Sequence, residues 1–259
     1  MAAEAQPATA SPPYTVVLTS CGRFDLLAPT IASFLNHADA KPAEFIVIED
    51  SGDARVRDAL APLEDALGGA FTVLINESQL GQMQAIDRAY AAVKTAHVFH
   101  CEDDWEFFRS GFIAESFRLL EALPRASMVG LRPRSEQNDL VKDSPMRSLS
   151  GPRLDYFELD PAKHPEYFSY SFNPGLRRMA DARALSPFAP LGGEADVSYA
   201  FKKAGFHIAN LEDPAVRHIG DGRHVVDPTA PDKPKTLLER LARSTRKRVK
   251  RVKRALRGD

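Results

Sequence analysis

Four short apolar runs punctuate the first hundred residues: 14–18 (YTVVL), 45–48 (FIVI), 71–75 (FTVLI) and 96–100 (AHVFH). Runs this short, rich in β-branched and aromatic residues and without polar alternation, predict strands buried on both faces. Between them, apolar residues recur at helical spacing. Leu26, Leu27, Thr30, Ile31, Phe34 and Leu35 predict one helix, and residues 54–67 a weaker one. Met83, Ile86, Tyr90 and Val93 mark a third, and Phe112, Ile113, Phe117 and Leu120 a fourth with Ser110 as its N-cap. Strands alternating with helices predict an α/β domain on a mostly parallel sheet, with helices on both faces.

Ligands of such sheets bind beyond the carboxyl ends of the strands. The polar clusters fall there: 19–23 (TSCGR), 49–53 (EDSGD), 76–84 (NESQLGQMQ) and the carboxylates Glu102, Asp103 and Asp104 of HCEDDWEFF. Taken alone, three adjacent acids are either a solvated turn or a seat for a hard divalent cation such as Mg²⁺ or Mn²⁺. The apolar flanks favour the cation, because unpaired acids near apolar surface raise their own pKa values and cost stability. A cation bridging a diphosphate would neutralise charge on a leaving group.

Residues 132–190 are Pro-rich and irregular, with aromatics at Tyr156, Phe157, Tyr167, Phe168, Tyr170 and Phe172. They predict loops and short strands built over the sheet edge, a natural place for an acceptor. The run 191–196 (LGGEAD) leads into a helix at 197–204 stopped by Gly205, then a last strand at 206–211 and the segment 217–224 (RHIGDGRH). Trp105 and Phe107 fit a core better than a platform on which a ligand stacks, and His97 and His100 fit structural roles. Arg223 and His224 fit a diphosphate contact or a solvated turn equally well.

Composition changes the picture mainly at the ends. The chain has 259 residues, 44% hydrophobic and 27% charged, ordinary values for a globular domain. No apolar run approaches the roughly 18 residues of a membrane span. Residues 1–13 (MAAEAQPATASPP) lack a basic and an apolar region, and read as a disordered leader. Two cysteines, Cys21 and Cys101, imply no disulfide framework and fit a reducing cytoplasm. From 239 to 259 there are ten Lys or Arg against two acids, leaving 24 against 33 elsewhere. Within 235–257, Leu238, Leu241, Val249, Val252 and Leu256 mark one stripe of a basic amphipathic helix. That helix fits an anionic membrane surface, peripheral on the inner face of the cell membrane, better than it fits nucleic acid.

The motifs VVLTSCGR, VIEDSGD, LGQMQAIDRAY, CEDDWEF, GGEADVSYAFKKAGFHI and HIGDGRHV, in that order across residues 14–224, resemble those of GT-A fold glycosyltransferases, family 2 in particular. EDDWEF is also similar to the metal motif of the N-acetylglucosaminyltransferase I group. The resemblance implies a Rossmann-like GT-A domain at 14–230, with a nucleotide-sugar-binding half at 14–131 and an acceptor half at 132–230. It implies inverting transfer of a hexosyl or N-acetylhexosaminyl group from a nucleotide-diphosphate sugar, a UDP-sugar first, to a glycan or lipid-linked hydroxyl, with Mn²⁺ or Mg²⁺.

Asp104 resembles the direct metal ligand, and His218 the late histidine that completes the metal or diphosphate site. Glu102 and Asp103 fall near the ribose and donor sugar. Asp50 is similar to the acid that accepts a hydrogen bond from a uracil nitrogen. Thr19, Arg23 and Gln82 fall where the loops meet the nucleotide. An acceptor hydroxyl needs a base. Glu194 and Asp196 are the candidates, Glu194 favoured, with helix N-capping the alternative for Asp196. Two rivals stand beside this reading. One is a sugar-nucleotide pyrophosphorylase, whose Gly-rich basic loop TSCGRFD matches poorly; the other is a non-catalytic nucleotide- or glycan-binding protein.

Overall fold

The structure, a computed structural model, describes residues 11–67, 70–229, 244–245 and 248–254. Most of the expected leader and much of the expected C-terminal helix lie outside these residues. All four early strands form: β1 (Tyr14–Ser20), β2 (Glu44–Glu49), β3 (Phe71–Ile75) and β4 (His97–Glu102). They pair in parallel in the order β3-β2-β1-β4. The crossovers are α1 (Phe24–His37), the short α2 (Val56–Leu60) and α3 (Glu64–Leu67), and α4 (Gln82–Ala92).

After β5 (Trp105–Phe107), α5 (Phe112–Ala122) begins behind Gly111, whose φ of 90° is left-handed. Ser110 is therefore not the cap that the sequence suggested. The cap comes from Asp39, whose two oxygens accept the N–H groups of Ile113 and Ala114 at 2.9 and 3.0 Å. Phe34 ties these pieces together. Its ring meets Phe45, Phe99, Phe107 and Phe112 with centroids 5.1–6.0 Å apart.

The sheet then turns mixed. It continues through β9 (Gly175–Arg178), β6 (Ala126–Gly130), β10 (His207–Leu211), β8 (Leu154–Leu159) and β7 (Met146–Leu149). β9 runs antiparallel to both β4 and β6, so it lies inside the sheet. Only β7 and β8 of the irregular 132–190 segment build the expected edge. Helices α6 (Met179–Leu185) and α7 (Glu194–Lys203) share one apolar cluster with α4 and with β1, β2 and β4, and β11 (Val216–His218) pairs with β5 in a separate two-stranded ribbon. Helix α7 starts at Glu194, three residues before the expected start, so Glu194 and Asp196 both lie in its first turn.

Candidate active site

The carboxyl ends of β1, β2 and β4 bring the predicted clusters together. Thr19 lies beside Glu102 and Ile48 in the strand register. Glu49 is fully buried and holds two loops, its Oε1 accepting the N–H groups of Gly22 and Ser51 at 2.9 and 2.8 Å. Asp50 does the same for the third loop. Its oxygens accept from Asn76 Nδ2 at 2.5 Å and from the N–H groups of Leu80 and Gly81, each at 2.9 Å. A base contact at Asp50 would thus be an additional bond to a carboxylate that already shapes the 76–81 loop.

The acidic triplet is not a solvated turn. Asp103 and Asp104 are buried, and Glu102 is half-buried as a residue but has a deeply enclosed carboxyl. Gln82, the first residue of α4, donates to Glu102 Oε1 at 3.1 Å, and the indole of Trp105 reaches Oε2 at 3.4 Å. Burial, with Asp104 and Glu194 nearby, pushes the Glu102 carboxyl up to about 8. Burial also pushes Asp103 up, to about 6, against the opposing pull of Arg23. Arg23 bridges the other two acids, binding Asp103 Oδ1 and Asp104 Oδ2, the latter at 2.8 Å. Burial opposes the Arg23 charge, but the two carboxylates hold its pKa above the ordinary value.

His218 completes this cluster. Its Nε2 lies 3.2 Å from Asp104 Oδ2, and its Nδ1 lies 3.0 Å from Asp221. The β5–β11 ribbon places it there, since His218 pairs with Trp105, the neighbour of Asp104. Gly220 lets the following turn close down, because a Cβ at that position would come within 2.6 Å of Asp104. Trp105 is buried at 3% exposure and touches His218 edge-on, so it backs the site from within the core. Arg223 is turned away to an ion pair with Asp25 at 2.5 Å, although its carbonyl accepts from Arg23.

Glu194 lies across from the triplet at a cavity of about 230 Å³, shared with Arg132, Asn138, Tyr167, Ser171 and Asn210. Ser171 donates to Glu194 Oε1 at 2.8 Å. The segment carrying Ser171 is pinned by Arg177, a fully buried residue of β9 that donates to the carbonyls of Ser171, Asn173 and Gly175 at 2.6–2.8 Å. Neither Ser171 nor Arg177 carries a sequence signal, because the partners of both, Glu194 and three backbone carbonyls, are set by the tertiary fold. Asp196 has other partners. Its Oδ2 accepts the Gly193 N–H at 3.3 Å, closing the helix start as a capping group, and its Oδ1 binds Lys250 and Arg254. Burial alone would raise the Asp196 pKa, yet these two cations bring it below the ordinary carboxylate range.

Two side chains could hold a metal, Asp104 and His218. No group of three or more His, Cys, Asp or Glu suited to a metal converges among the described residues, so a cation here would draw its other ligands from substrate. The donor set, the glycine that makes room above Asp104, and the buried and unpartnered Asp103 Oδ2 all fit such a shared site.

The fold matches several solved structures. A crystal structure of GalNAc-T7 with UDP, GalNAc and Mn²⁺ superposes with a TM-score of 0.58 at 15% identity, over 89% of this chain and 47% of that one. S. aureus TarS gives 0.56 at 12% identity, over 79% and 36%. The mannosyltransferase PcManGT from Pyrobaculum calidifontis, in complex with GDP-Man and Mn²⁺, gives 0.53 at 15%, over 81% and 58%. The chain thus spans between 36% and 58% of the length of these three. No curated protein matches the sequence. The model for glycosyl transferase family 2 matches residues 15–184, and the chain belongs to that family.

Proposed function

We propose that the protein is a metal-dependent, inverting glycosyltransferase that moves a hexosyl or N-acetylhexosaminyl group from a nucleotide-diphosphate sugar, UDP-linked by preference, to a glycan or lipid-linked hydroxyl. The observation that carries this reading is the meeting of Asp104 with His218 beside Glu102, opposite a cavity that presents Glu194. Asp104 and His218 would hold Mn²⁺ or Mg²⁺, which supplies Lewis-acid neutralisation of the departing diphosphate. Neighbours of the same fold contain Mn²⁺ with UDP or GDP-Man, which supports that choice.

The chain's own groups supply the rest. Glu102 and Asp103 bound the donor sugar and ribose, with Gln82 orienting Glu102. Arg23, now paired with Asp103 and Asp104, is placed to turn its guanidinium to the diphosphate. Thr19 and the loop held by Asp50 border the base. Glu194 takes the proton of the acceptor hydroxyl as it attacks the anomeric carbon, and Ser171 fixes its carboxylate. The basic C-terminal segment fits contact with an anionic membrane, where lipid-linked acceptors reside. No described helix is long and apolar enough to cross one.

A screen of nucleotide sugars for acceptor-dependent nucleotide release, with Mn²⁺ and with EDTA, tests the reading. Release that needs both acceptor and metal is expected. Activity unchanged in EDTA would remove the metal, and pyrophosphate release from nucleoside triphosphate and sugar phosphate would favour a pyrophosphorylase.

A further inference from the structure

Residues 248–254 of the C-terminal segment are helical and rest against the body beside the Glu194 cavity. Its contacts are charged. Lys250 binds Asp196 at 2.5 Å, Arg251 reaches Glu166 at 3.4 Å, and Arg254 binds Glu166 at 2.7 Å as well as Asp196. The Arg254 guanidinium also lies 4.3 Å from the ring centre of Tyr199. At about 100° per residue, Lys250, Arg251 and Arg254 share one side of the helix, and Val249, Val252 and Lys253 share the other.

That arrangement is reversed. A helix packed on a globular body ordinarily buries its apolar stripe and shows its charges to water. Here the charged side is docked, while Val249 and Val252 are 47% and 58% exposed, flanked by the exposed Arg248 and Lys253. Two valines between cations match the lipid-facing side of an interfacial helix. The same stripe is a poor contact for a second copy of the chain, since its flanking cations would face their own kind. The cavity opens nearby. Tyr167, next to Glu166, lines it with Glu194, and Tyr167 and Leu191 are themselves 37% and 39% exposed.

We propose that the helix, docked on Glu166, Asp196 and Tyr199, presents Val249, Val252, Arg248 and Lys253 to an anionic bilayer, so that the Glu194 cavity opens at the membrane surface. The helix need not leave the body to bind lipid. Asp196 then serves as the anchor of this platform. The proposal rests on the transferase reading for its purpose, but not for its test.

The test is flotation of the full chain with vesicles of phosphatidylcholine alone or mixed with phosphatidylglycerol. In a Cys21→Ser background, Glu166→Cys and Arg251→Cys are joined by a bis-maleimide to lock the helix in place. The locked and unlocked chains should float equally with the anionic vesicles, and neither with phosphatidylcholine alone. Val249→Glu with Val252→Glu should reduce flotation several-fold at unchanged melting temperature. A locked chain that fails to float while the unlocked one floats would overturn the proposal, showing that the helix must undock. Undiminished flotation of the valine variant would overturn it by showing that charge alone suffices, and a valine-dependent dimer in sedimentation would replace the bilayer with a second copy. Nucleotide release in solution by the unaltered chain reports separately on the transferase reading.

Discussion

Glu102, Asp103 and Asp104 are adjacent and largely cut off from water, whereas Glu194 and Asp196, two residues apart, stand half-buried at a helix start, Glu194 lining a cavity. The triplet must share its compensation. One arginine serves two of the acids, and the third is pushed toward the protonated state. The two acids at the helix start are separated in role. Glu194 keeps one hydroxyl partner, while Asp196 caps a helix and binds two cations. Crowded buried carboxylates are costly without a cation nearby, so the triplet is the side that added positive charge would relieve. Across from it, Glu194 holds a single hydroxyl partner, and under the proposed function it is the carboxylate that takes a proton.

The largest effect should come from the side that added charge would relieve. Asp104→Asn should lower metal-dependent turnover by about three orders of magnitude, the worth of several kcal/mol of charge neutralisation, and should abolish Mn²⁺ binding in calorimetry. Retained Mn²⁺ binding would mean that the two sides differ less than their burial implies. Next, Glu194→Gln should cost about 10²–10⁴ in transfer, the usual worth of a general base, and leave nucleotide affinity intact. Asp196→Asn should retain most of the transfer rate. If the two variants exchange outcomes, the base is Asp196 and the division of roles at the helix start is reversed.

Arg23→Met sharpens the comparison on the triplet's side. With its resident cation gone, the triplet should lower the melting temperature of the metal-free protein, and added Mn²⁺ should restore more of it than it adds to the parent. Equal Mn²⁺ shifts would show that Arg23 and metal do not compensate the same acids. The smallest effect belongs to His100, buried between the halves against Tyr90 and Phe172. Burial first, then Arg177, lowers its pKa well below the usual value. Below about pH 6.5 the unfolded chain binds a proton there that the folded chain refuses, so stability falls as pH drops through that range. His100→Gln should flatten that slope in melting curves taken between pH 7 and 5.

The first half of the fold, residues 14–131, was largely legible from the sequence. Its strands are continuous apolar runs, and each polar cluster directly follows one, so position along the chain sets position in the site. The other half was not. β9 reads Gly-Leu-Arg-Arg, too short and too charged to suggest a central strand, because Arg177 is accommodated by three backbone carbonyls that no pattern announces. The Asp39 cap was hidden for a related reason, as its partners lie 74 and 75 residues further along. Both candidate bases were legible as a pair. Their different partners, Ser171 at Glu194 and Lys250 and Arg254 at Asp196, carry no such signal.

The β5–β11 ribbon has a consequence for how this chain can be rebuilt. Asp104 and His218 are far apart in sequence, yet one backbone pairing, His218 with Trp105, sets their spacing. The segment between them enters and leaves the neighbourhood of Asp104 and His218 through that two-stranded clasp. Much of the edge formed by β7 and β8 could therefore be exchanged for another of different length, as a cassette, without re-specifying these two residues. A graft that keeps residues 102–107 and 216–220 while replacing 139–160 should still bind Mn²⁺ with parental affinity.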